Sequence, residues 1–166
     1  MPERIRMMTF LSTISHRGNL RGPEPENENN PDYIDKAVEE LYEVEVDIRF
    51  IEGNFYLGHD SPEHFVDLHW LKERKDFLIF HCKNLPCLYL LKDHFHCFWH
   101  ENDAYTLTTE KKIWTYPNQH VGPDCIIVDL EPPVLEKVQQ WKAQGCYGVC
   151  SDYPEVIGTD FITGIV

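Results

Sequence analysis

The sequence predicts an α/β fold, a compact (β/α)8 barrel that has lost some of its helices. Three observations carry that expectation: about eight short strand-like segments, short amphipathic helices between several of them, and charged or histidine residues where strands end. At 166 residues the chain reads as one domain over 1–166, with no internal repeat or linker. That is small for such a barrel, which typically takes roughly 250 residues, so an open α/β sheet of fewer strands is the competitor. Apolar residues make up 42% of the chain and aromatics 13%, enough to build a core and to exclude a disordered chain.

Residues 7–15 read as the first strand, an apolar run broken by Thr9, Ser12 and Thr13 that leads straight into His16. Those polar breaks suit a strand and not a targeting segment. Residues 19–31, rich in Gly, Pro, Asn and Glu, form a loop. Asp32 can cap a helix over 33–41, with Ile34, Ala37, Val38 and Leu41 on one stripe. Residues 43–48 then alternate, placing Val44, Val46 and Ile48 on one face and Glu45, Asp47 and Arg49 on the other.

A Glu52-Gly53-Asn54 turn leads to a third strand, 55–58, which delivers His59 at its end. Residues 68–74 form a short helix, 77–82 a fourth strand and 85–92 another short helix. Strands follow at 96–99, 112–116, 125–130 and 148–151. Between the last two, 133–144 is a helix with Pro133 in its first turn, Val134, Leu135, Val138 and Trp141 on one face, and Gly145 just past its end.

A formal net charge of −13 excludes a general affinity for nucleic acid or anionic membrane, so a phosphate-bearing small molecule would need a local basic pocket. The six cysteines, at 82, 87, 97, 125, 146 and 150, come with no sign of export and read as reduced thiols of a cytoplasmic protein. No apolar run approaches a membrane span.

The chemistry begins with Glu45 and Asp47. If the face with Val44, Val46 and Ile48 packs on helices, both carboxylates point inward, where burial costs several kcal/mol each unless a cation or hydrogen bonds compensate. His16, His59, His81 and Lys83 stand at or near strand ends, where a barrel builds its site. His16 and His59 are a natural acid and base, and Arg17 can grip a phosphate oxygen. The order His16-Arg17-Gly18, Glu28-Asn29, Glu45-Val46-Asp47, His59-Asp60 thus fits a metal-assisted phosphodiester site.

With the closing Gly148-Val149-Cys150-Ser151-Asp152-Tyr153-Pro154, this order resembles the glycerophosphodiester phosphodiesterase family over nearly the whole chain. The resemblance implies a triosephosphate-isomerase-type (TIM) barrel related to phosphatidylinositol-specific phospholipase C, hydrolysis of a glycerophosphodiester-like substrate, and His16 and His59 as the catalytic pair. It also implies Mg²⁺ or Ca²⁺ on Glu45 and Asp47, phosphate contacts from Arg17 and Lys83, and a place for Glu28 near the metal or the arginine. His81-Cys82-Lys83 stands where the family has Glu-x-Lys, so His81 takes the third metal position. An imidazole there suits Mn²⁺, Zn²⁺ or Fe²⁺ better than Mg²⁺ or Ca²⁺. The chain also lacks room for the insertion that often shapes the family's glycerol pocket.

Two alternatives stay open: a sphingomyelinase-D-like lyase, and a catalytically silent barrel that binds a phosphorylated ligand. His94, His96, Cys97 and His100 form a second group, but on a strand Cys97 points away from the three histidines, which disfavours zinc there. His100 and Glu101 are placed to reach the main site instead. Trp99, Trp114 and Tyr116 read as core or pocket wall.

Overall fold

Nine consecutive residues, Glu43–Ile51, organise the fold because three other strands pair with them. The computed structural model describes residues 10–160, so positions 7–9 of the expected first strand lie outside the described residues. In chain order the elements are β1 Ser12–His16, α1 Pro31–Glu39, β2 Glu43–Ile51, β3 Asn54–Leu57, β4 His64–Val66, α2 Leu68–Glu73, β5 Leu78–Cys82 and α3 Leu85–Leu91. Then come β6 Cys97–Phe98, β7 Tyr105–Leu107, β8 Ile113–Thr115, β9 Cys125–Val128, α4 Leu135–Ala143, β10 Gly148–Ser151 and α5 Pro154–Asp160.

The ten strands form one mixed sheet, curled into a half-barrel. Parallel pairings run β6-β5-β2-β1-β10-β9-β8, while β3 and β4 add antiparallel on β2 and β7 adds antiparallel on β8. This corrects the expectation of a helix-depleted (β/α)8 barrel of TIM type: the five helices are short and do not alternate with the strands. The reason lies in the connections. Residues 58–63 and 108–112 reverse the chain within a few residues, and a strand that turns back so soon pairs antiparallel instead of crossing over through a helix. Between β8 and β9, Pro117, Asn118, Gly122 and Pro123 carry turn chemistry in place of helical periodicity, and Asn118 takes a left-handed φ of 64°.

Alternation along the parallel strands sorts the side chains into layers. Val44, Val46 and Ile48 face outward onto α1–α3, with Phe80, Leu71 and Leu91 in the same cluster. A second outer cluster, including Val138, Cys146, Val149 and Ile157, lies under α4 and α5. Inside the curl, Ile14, Ile79, Phe98, Trp114, Ile126 and Cys150 make an apolar plug. Two residues further along, strands or their immediate extensions present His16, His81, His100, Tyr116 and Asp152 on the same face as those plug residues. A polar rim therefore sits on an apolar floor, at the C-terminal ends of the parallel strands.

Several local expectations change in detail. Asn30, not Asp32, caps α1: its Oδ1 accepts from the Asp32 amide at 2.9 Å. Leu41, expected on the apolar stripe of that helix, falls beyond it with a φ of 67° and is exposed. The strands β4 and β7 and the helix α5 were not foreseen. All six cysteines are free and buried, as expected of reduced thiols.

The edge of β2 changes partner midway. β1 pairs as far as His16 opposite Glu45, and β3 begins at Ile48 opposite Leu57. Between them Asn29 fills the gap: its Oδ1 accepts from the Asp47 amide at 2.9 Å and its Nδ2 donates to Asp47 Oδ2 at 3.0 Å. Asn29 holds a φ of 60°, a left-handed conformation that asparagine tolerates better than most residues. Asn29→Ala leaves a buried amide unpaired and keeps the backbone strain. We expect it to lower unfolding free energy by about 1–3 kcal/mol in a urea titration, whereas Asn27→Ala, whose Nδ2 bonds only the exposed Glu24, should change it by less than roughly 0.5 kcal/mol.

Candidate functional site

Glu45 and Asp47 lie on the inner face of β2, 3% and 0% exposed. A solvated sheet edge is therefore not their setting, and each needs partners. Asp47 receives them from four directions. Asn29 is the first; Arg17 Nε lies 2.8 Å from Oδ2, and His81 Nδ1 and Lys83 Nζ lie 3.1 Å and 3.7 Å from Oδ1. Burial opposes ionisation of Asp47, but His81 at 3.1 Å, the Arg17 charge and the Asn29 hydrogen bond prevail, holding its carboxyl well below the usual range.

Arg17 reaches Asp47 because the chain turns sharply after β1. Its φ is 57°, its amide donates to the Glu45 carbonyl at 2.8 Å, and Gly18 follows at φ 96°. A Cβ on Gly18 would come within 2.7 Å of the Tyr33 ring, so the glycine of His-Arg-Gly is required by space as well as by conformation. Glu28 then fixes the guanidinium from the far side, accepting from Arg17 Nη1 at 3.0 Å.

His16 ends β1 with its Nδ1 2.7 Å from Asp152 Oδ1 and its Nε2 4.0 Å from Glu45 Oε2. A carboxylate only accepts, so Nδ1–H donates to Asp152 and Nε2 is the nitrogen turned toward Glu45. Burial works against the imidazolium, yet the Asp152 hydrogen bond and the Glu45 charge outweigh it and raise the His16 pKa above 6.5. His81 follows the same logic: its pKa is raised against burial by the Asp47 and Glu45 carboxylates, 3.1 Å and 3.6 Å from its Nδ1.

Of the residues singled out in the sequence, His16, Arg17, Glu28, Glu45, Asp47, His81 and Lys83 converge. His59 does not join their hydrogen-bonding network. Its half-exposed ring binds Asp60 Oδ1 at 2.7 Å, while its backbone carbonyl accepts from Arg49 Nη2 at 2.7 Å. His100, expected to reach the main site, stacks on His81 with ring centroids 4.6 Å apart. Two further residues have no assigned role in the sequence reading: Asp152 orients His16, and Asn19 bridges Asp152 and Glu28 at 2.8 Å and 2.9 Å. An apolar-x-polar step at each strand end (Ile79 to His81, Phe98 to His100, Cys150 to Asp152) is the signal that marks Asp152. In the second histidine group, His96 bonds Thr108 at 2.9 Å, away from His100, and Cys97 is core.

Among the described residues, two sets of side chains offer metal-ligand atoms within 4.8 Å of one another: Glu45, Asp47 and His81, and His16, Glu28 and Asp152. A cation bonded at about 2.0–2.6 Å spaces its ligands by no more than about 5 Å, so both pass on distance. Only the first has an unanswered demand. Glu45 Oε2 and Asp47 Oδ1 are buried and accept no hydrogen bond, whereas Arg17, Asn19 and the His16–Asp152 contact account for the second set. Two oxygens and one nitrogen from three residues are a donor set for a divalent cation with open positions.

No protein-family model matches this chain, and no curated protein matches it. Any functional reading rests on the residues and their geometry.

The raised histidine pKa values predict how metal-free protein responds to pH. A group whose folded pKa lies above its unfolded value stabilises fully below about 6.5 and loses that contribution as pH rises through the folded value. Melting temperature without metal should therefore fall from pH 6 to pH 9, and His16→Gln should flatten the slope. Cations bind neutral imidazole, so the shift produced by added Mn²⁺ or Zn²⁺ should grow over the same interval; a shift independent of pH would remove His81 from the ligand set.

Proposed function

We propose that the protein is a metal-dependent phosphodiesterase acting on a small phosphodiester. The observation that carries this reading is the convergence of Glu45, Asp47 and His81 on one buried patch, flanked by Arg17 and Lys83. The motif order that resembles glycerophosphodiester phosphodiesterases supports the same reaction class.

Glu45, Asp47 and His81 would hold the divalent cation, which when bound supplies Lewis-acid stabilisation of charge on a phosphoryl oxygen. Arg17 sits in ion-pair contact with Asp47 and spends an Nη1 donor on Glu28, which leaves guanidinium donors for a phosphate oxygen. Lys83 adds a second positive charge beside Asp47. His16 moves a proton at Nε2, its tautomer set by Asp152 as an acid–base imidazole requires.

His59 and Asp60 repeat that imidazole–carboxylate couple at the same 2.7 Å, on the exposed side. In this reading His59 serves the alcohol that faces solvent and His16 the buried side of the phosphorus. A second reading, a phosphate-binding module without turnover, is favoured by one observation: His59 bonds none of the clustered residues.

The test is hydrolysis of bis(p-nitrophenyl) phosphate by chelator-stripped protein with Mg²⁺, Ca²⁺, Mn²⁺ or Zn²⁺ restored singly. Turnover should require metal, vanish in Glu45→Ala/Asp47→Ala, and fall roughly 100-fold or more in His16→Ala and in His59→Ala. Wild-type activity in His59→Ala would leave a one-histidine mechanism. Binding of inorganic phosphate with no turnover under any metal would replace the proposal with the second reading. With a glycerophosphodiester, whose free hydroxyl next to the ester can attack phosphorus and expel the other alcohol, a cyclic phosphate as the final product would mark a lyase.

A further inference from the structure

On the outer face of β2, opposite the side that carries Glu45 and Asp47, a groove of about 700 Å³ opens between α2, α3 and the β2–β3 turn. That volume lies within the range of small-molecule sites, roughly 300–1,000 Å³. Aromatic rings form its apolar base. Phe50 and Phe55 pack at 4.8 Å between centroids across the turn, and Phe95 stands edge-on to Phe80 at 5.6 Å. Leu68 from α2 and Leu90 from α3 make the walls and are 45% and 47% exposed, a cost in apolar surface that an occupant would remove.

The polar groups of this groove are Lys72, Lys75 and His94. No carboxylate lines it, in a chain with 28 acidic residues against 15 lysines and arginines. Lys83, Lys92, Lys112 and Lys137 each have an acidic partner, but Lys72 and Lys75 enter no ion pair among the described residues. An apolar trough with unpaired cations at its edge matches one ligand chemistry, a hydrocarbon chain ending in an anion. We propose that this groove binds a single-chain anionic amphiphile of the fatty-acid class, its tail over Phe50, Phe55 and Phe95 and its carboxylate at Lys72 and Lys75. A cationic or zwitterionic head would meet the lysines with the wrong sign or none, and an acetate-sized anion would leave the trough unfilled.

The site is independent of the proposed phosphodiester chemistry, since none of its residues touches the metal-compatible cluster. Isothermal titration of the full chain with decanoate, below its micelle concentration, tests it, with decyltrimethylammonium and acetate as comparison ligands. Decanoate should bind saturably at one site, and acetate and decyltrimethylammonium should not. Lys72→Glu/Lys75→Glu, both exposed positions, should weaken decanoate roughly tenfold and admit the cationic amphiphile. Leu90→Asn, also exposed, should weaken decanoate with the lysines intact, and so tests the groove even where the double variant folds poorly. No saturable decanoate binding, equal binding of the two amphiphiles by wild type, or unchanged decanoate affinity in both variants would overturn the proposal.

Discussion

Asp47 places a carboxylate where no water reaches it, and much of the surrounding structure answers that charge. Asn29 caps its amide and one oxygen, Arg17 lies against the same oxygen, and His81 and Lys83 approach the other. An isolated buried ion would cost several kcal/mol, so the loop from 19 to 31 is held by an electrostatic demand and not by packing alone. The left-handed backbone at Arg17 and Asn29 follows from it. Both residues must turn the chain back toward Asp47, and two local conformational costs are outweighed by satisfying one buried charge.

The charge balance within the cluster, more than the acidity of the chain, sets what this site can hold. Glu28, Glu45, Asp47 and Asp152 bring four negative charges to the cluster against two from Arg17 and Lys83. Two protons on His16 and His81, or one divalent cation with both imidazoles neutral, bring it to neutrality. The raised pKa values of the two histidines are the first solution. A bound cation would thus answer the same electrostatic vacancy as two protons, and the global charge of −13 matters less than this local sum.

Much of the site was legible because strand alternation is a strict rule. The opposition of Val44, Val46 and Ile48 to Glu45 and Asp47 was enough to place both carboxylates inside, and His16, His81 and Lys83 were correctly read as strand-end residues. The architecture was less legible. Short strands look alike whether the next connection is a crossover or a tight reversal, so sequence pattern alone reveals neither β4 nor β7 and favours a closed barrel over the mixed half-barrel that forms. Asn19 and Asp152 escape local pattern because Asp152 meets Asn19 and His16 across 133 and 136 positions of sequence. Local pattern carries no trace of such a pairing.

The layering of rim on plug has a consequence for the kinds of change the chain can absorb. Ile79 and His81, Phe98 and His100, and Cys150 and Asp152 are separated by one residue each, so floor and site share a single register. A substitution on the rim leaves the floor intact. Inserting or deleting one residue within β5 would instead turn His81 outward and bring an apolar neighbour to the mouth, while exposing charge to the outer cluster around Phe80. Length variation is therefore confined to the turns. The inner segments are open to point changes alone, and the chemistry of the mouth can be retuned without the strands ever shifting against one another.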